Sequence, residues 1–106
     1  MNISLMIREK YSLTRKSLSI ITGISVNALQ HYELRGDQPN KSNSLLLRSC
    51  FDPYSFKRLY DISKEGLNKS QARTISKCIN ALITDIEKST QEYKETLIDT
   101  HRHVIL

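Results

Sequence analysis

A chain of 106 residues is long enough for one small core, or for a small domain with a helical extension. Two prolines, three glycines and no tryptophan favour helix over sheet, and no apolar run nears the ~20 residues of a membrane span. The +5 formal charge is uneven: residues 1–41 carry Arg8, Lys10, Arg15, Lys16, Arg35 and Lys41 against Glu9, Glu33 and Asp37. Such a concentration suits a polyanion, because displaced counterions drive the association.

Acidic and basic residues from Arg8 onward argue against a signal peptide, so a cytoplasmic location is expected. Cys50 and Cys78 stand apart without a CxxC and read as reduced packing residues. No nucleophile elbow, glycine-rich phosphate loop or cysteine–base pair occurs, so no enzyme is expected.

Residues 2–11 predict a first helix, with Ile3, Met6 and Ile7 at helical spacing. Over residues 13–33, Leu13, Leu18, Ile21, Ile24 and Leu29 suit two short helices packed across a tight bend. Thr14 and Ser25 are placed to cap them, and Gly23 lies where the chain needs a positive φ. Ser19, being small, is expected on the inward face between the two.

This stretch resembles the DNA-binding domain of the lambda-repressor/Cro-like family, the Xre class. The family's pattern appears as Leu13-Thr14, Leu18-Ser19, Gly23, Ser25, Leu29 and Tyr32-Glu33, followed by Pro39. The likeness covers about residues 3–48; Ser19 replaces the usual alanine, and Gly36 comes one residue later than usual. Residues 7–56 are also similar to the DNA-binding half of some antitoxins of bacterial toxin–antitoxin operons. The resemblance implies an all-α, five-helix lambda-repressor-like domain that acts on double-stranded DNA, most simply a palindromic operator.

On that reading, a recognition helix over about residues 25–33 enters the major groove, with Val26 and Asn27 in its first turn and Gln30 and His31 about one turn on. Asn27 suits the paired bonds that amides make with adenine, and Val26 suits a thymine methyl. Phosphate contacts are expected from Arg15 and Lys16 after the Thr14 cap, from Ser25, and from Arg35 and Lys41 flanking the helix. Tyr32 is expected in the core with its hydroxyl wet, and Glu33 tying the recognition helix to the following loop.

Residues 35–44 are dense in turn formers and predict a loop, residues 45–51 a short helix. Asp52 and Pro53 then open a helix carrying Tyr54, Phe56, Leu59, Tyr60 and Ile62 to Gly66. That completes a first domain over residues 1–66. Residues 68–100 lack glycine and proline, and Ile75, Ile79, Leu82 and Ile86 alternate spacings of four and three, with Tyr93 on the same seam. So long an amphipathic helix must fold back on its own domain or pair with a second copy. Two-fold operators favour pairing, which makes residues 67–106 a dimerisation extension with half-sites roughly one duplex turn, about 34 Å, apart. The rival is a protein-interaction module, or an antitoxin, whose C-terminal helix binds a toxin or other partner. The closing HRHVIL shows no helical period and reads as a short strand or disordered end; its His101 and His103 lack the support of a metal site, and no cofactor is expected.

Overall fold

The computed structural model describes residues 2–105, with side chains described as far as residue 98. Helices begin where a short polar side chain satisfies a backbone N–H that the helix leaves unpaired. Asn2 caps α1 (Ile3–Tyr11), Thr14 caps α2 (Arg15–Thr22) and Ser25 caps α3 (Val26–Leu34). Asn40 caps α4 (Lys41–Ser49), and Asp52 caps α5 (Pro53–Ser63), which carries proline in its first turn. Asn68 opens α6 (Lys69–Ile105), its Oδ1 accepting from the Gln71 N–H at 2.8 Å. A 3-10 turn, Lys64–Gly66, separates α5 from α6, and no strand occurs among the described residues. The chain is all-α, with five short helices followed by one long one. No helix among the described residues is long and apolar enough to cross a membrane.

Two expected boundaries moved. The polar stretch to residue 44, where the sequence predicts a loop, is already helical at Lys41, because Asn40 Oδ1 accepts the Asn43 N–H at 2.8 Å and converts the polar run into a first turn. The closing segment is neither strand nor loose end, since α6 continues through to Ile105. With no glycine or proline after Gly66, nothing interrupts propagation once the helix has started.

The core joins all six helices. Ile7 and Tyr11 of α1, Leu18 of α2, Leu29 of α3, Leu47 of α4 and Phe56 of α5 are all wholly buried. Tyr11 and Phe56 stack at 3.8 Å between ring centroids, and the Tyr11 hydroxyl donates to the Cys50 carbonyl at 2.6 Å. Burial pushes the Cys50 thiol up to about 11, so it stays protonated and unreactive at neutral pH.

The first half of α6 belongs to this core, which corrects the expected dimer seam and the domain boundary at residue 67. Ile75 and Ile79 are each 1% exposed, sharing one cluster with Ile7 and Phe56, and Leu82 and Ile83 pack against it. The Tyr60 hydroxyl donates to the Ala72 carbonyl at 2.9 Å, fixing α5 to α6. The physical reason is that α6 packs against both α1 and α5, and its apolar stripe covers the apolar side chains they present there. Ile75 and Ile79 are therefore unavailable to a second copy. The rest of α6 projects beyond the domain, and the molecule measures 62 × 31 × 19 Å.

Candidate nucleic-acid interface

The candidate surface is built on α2, the connection of residues 23–25, and α3. Gly23 ends α2 with φ 77°, a conformation that a Cβ would strain, and its N–H bonds back to the Ser19 carbonyl at 2.8 Å. Ser25 turns the chain into α3, its Oγ accepting from the Ala28 N–H at 3.0 Å. Leu29 is buried and anchors the inner side of α3. At the other end Gly36, at φ 72°, follows the Arg35 cap, so the late glycine still serves as the stop. The buried small residue of α2 is Ser17, 1% exposed, whereas Ser19 is half-buried, so the inward place expected for Ser19 belongs to Ser17.

This anchoring leaves Val26, Asn27 and Gln30 exposed on one side of the first two turns of α3. Val26 is 41% exposed, an apolar side chain held at a surface that the core does not need. His31 is half-buried, its Nδ1 3.8 Å from Asp37 Oδ2, so it leans toward the loop after α3. Lys16, Arg35 and Lys41 are exposed and have no ion-pair partner among the described residues. Lys41 stands in the first turn of α4 instead of in a loop. Ser25 spends its hydroxyl on the cap, which still leaves it exposed.

Arg15 is placed differently from the other cations. Its Nε donates to Glu33 Oε1 at 3.0 Å, and Arg8 Nη1 reaches the same oxygen. Ser4 Oγ donates to Glu33 Oε2 at 2.6 Å. The Glu33 side chain is only 3% exposed, and it clamps α3 to α1 and α2 instead of to the following loop. Burial alone would raise its pKa. The hydrogen bonds from Ser4 and Arg15, with the charges of Arg8 and Arg15, outweigh that and hold the carboxyl below its ordinary range. Arg15 is thus first a structural partner, with about a third of its side chain left exposed.

Asn2 and Ser4 carry roles that no local pattern announces. Asn2 accepts the Leu5 N–H at 3.1 Å while its Nδ2 donates to the Glu33 carbonyl at 3.2 Å, so one side chain ends one helix and begins another. The signal was a cap residue just before the first apolar helix; the second bond spans 31 positions and left no local trace. Tyr32 is half-buried, its hydroxyl accepting from Asn43 Nδ2 at 2.9 Å and tying α3 to α4. His101 and His103 lie outside the residues whose side chains are described. Among those that are, no group of three potential metal ligands comes together.

Compared with protein-family models, curated proteins and solved structures, the chain finds no match.

The exposed lysines carry the first prediction. If this surface takes duplex DNA, Lys16→Ala and Lys41→Ala should each weaken binding to any sequence. Each should also make the salt dependence shallower by about one unit for every phosphate no longer neutralised, so by roughly two in a dimer. Titration of fluorescent duplex at several salt concentrations reads the slope. An unchanged slope would remove that lysine from the phosphate-facing set.

Proposed function

We propose that this chain is a sequence-specific DNA-binding transcriptional regulator, a repressor, acting in the cytoplasm as a homodimer on a two-fold-related duplex site. The observation that carries the reading is the first half of α3: a serine-capped helix that exposes Val26, Asn27 and Gln30, in a domain whose Lys16, Arg35 and Lys41 are exposed and have no ion-pair partner among the described residues. Asn27 and Gln30 offer the donor–acceptor pairs that read adenine in the major groove, and Val26 offers a thymine contact. Lys16, Arg35 and Lys41 supply sequence-independent attraction. The Glu33 clamp matters here because base readout tolerates little wobble of the helix that performs it. The resemblance to lambda-repressor/Cro-like domains points the same way.

Enrichment of a random duplex pool on the protein, followed by sequencing, tests the reading directly. A recovered motif with inverted symmetry is expected, and recovery of unbiased sequence would sink it. With the motif in hand, Asn27→Ala should cost about 1–3 kcal/mol at the specific site and leave random duplex almost unaffected. Equal losses on both would make Asn27 a positioning residue. A competing reading assigns the bare outer half of α6 to a different protein, such as a toxin; recovery of no DNA motif would favour it.

A further inference from the structure

The apolar face of α6 does not stop where the domain does. At about 3.6 residues per turn, Ile86, Thr90, Tyr93 and Leu97 point the same way as Ile75, Ile79, Leu82 and Ile83. The earlier four face the chain's own core, whereas Ile86, Tyr93 and Leu97 are 39, 65 and 50% exposed. The globular part of the chain therefore sits on the same face of the helix whose continuation is bare. We infer that a second copy of this chain covers that continuation, with the two α6 helices running antiparallel.

Sterics decide the direction. Packed helices lie about 8–10 Å apart. In a parallel pair joined along this face, both globular parts would have to occupy the gap between the two helices. In an antiparallel pair the two globular parts lie at opposite ends of the paired stretch and do not meet, and the bare segments from Ile86 to Leu97 face one another.

The stripe also suits reversal. Ile86, Thr90, Tyr93 and Leu97 are spaced four, three and four, an order that reads the same backwards. Ile86 then meets Leu97 of the second copy, and small Thr90 meets large Tyr93. Along the edge, Glu87 comes beside Lys94 of the second copy, and the two-fold axis repeats the pair. A Tyr54 hydroxyl bond at 3.4 Å holds the Glu87 carboxylate at that edge. A parallel register would set Ser89 beside Lys94 and gain no opposite charge. At the base of the bare stripe, Phe51, Pro53, Leu82 and Ile86 line a shallow groove, where the far end of the second helix arrives. Two such stripes bury on the order of 1,000 Å² together, the low end for a specific interface.

This geometry deepens the homodimer reading above without depending on DNA. Sedimentation of the full-length protein at tens of micromolar should give a dimer, and Leu97→Glu should weaken it at least tenfold with an unchanged circular dichroism melt. Orientation is read in a Cys78→Ser background, Cys50 being buried. A short bismaleimide should join a chain carrying E87C to one carrying K94C, and should join neither variant to itself. A monomeric wild type would overturn both the dimer and its geometry. A dimer indifferent to Leu97→Glu, or one that yields no mixed 87–94 product, would overturn the geometry alone.

Discussion

Ile79→Asp is expected to unfold the protein rather than merely separate two copies. Ile79 is 1% exposed and shares its surroundings with Ile75, Ile7 and Phe56. An unpaired carboxylate there has no partner, and its desolvation rivals the ~5–15 kcal/mol that holds a domain of this size together. The gentler Ile79→Ala should cost about 2–5 kcal/mol and lower the melting temperature by about 10–25 °C. Thermal melts followed by circular dichroism at 222 nm would show both effects. Had Ile79 lain on an intermolecular seam, the aspartate variant would keep a cooperative transition as a monomer. Such a melt would show that α6 is an appendage and not a wall of the core. The contrast with Leu97→Glu is informative, because the same helix face changes duty within eighteen residues.

Loss of the Glu33 charge should come next in size. Glu33→Gln keeps the shape but removes the anion that Arg8 and Arg15 surround, with Ser4 on the other oxygen. Hydrogen bonds to a charged group are each worth about 1.5–3 kcal/mol, and the arginines are 22 and 32% exposed, so screening trims the sum to about 2–3 kcal/mol. The sign with pH follows from linkage. The folded carboxyl titrates below its ordinary value of 4.5, so its stabilisation is fully present above pH 4.5 and is lost as pH falls through the folded value. The gap in stability between wild type and Glu33→Gln should therefore be constant from pH 5 to 7 and close on further acidification. Urea melts at pH 7 and pH 3 measure it. A gap that did not narrow at all as the pH fell below 4.5 would assign the loss to packing instead of charge. On the proposed DNA-binding function, specific affinity should drop beyond what the lost stability explains, because the clamp also holds α3 against α1 and α2.

Local chemistry was legible in the chain wherever a few neighbouring residues decide the outcome. Thr14, Ser25 and Asp52 were readable as caps, Gly23 as a positive-φ stop and Pro53 as a first-turn residue, because each acts within four positions of itself. The exposure of Val26, Asn27 and Gln30 followed from the same rule, since Ser25 sets the phase of the helix and Leu29 its inner side. Asn40 shows the limit of that reading: its cap was as local as the others, yet a polar first turn looks like loop until the bond to Asn43 is seen.

Tertiary structure alone decided what the long-range partners were. Arg15 looked free beside a helix start, but the carboxylate that takes it lies eighteen residues on and is brought near by the packing of α1, α2 and α3. The stripe of α6 was visible as apolar spacing, and spacing states only that a face must be covered. Which half is covered by this chain depends on the surface that α1 and α5 present together, and that surface exists only once they have packed. By itself the sequence determined an all-α chain, the helix starts and an amphipathic C-terminal helix; the burial of Ile75 and Ile79, and the bare face from Ile86 to Leu97, were decided by three-dimensional fit.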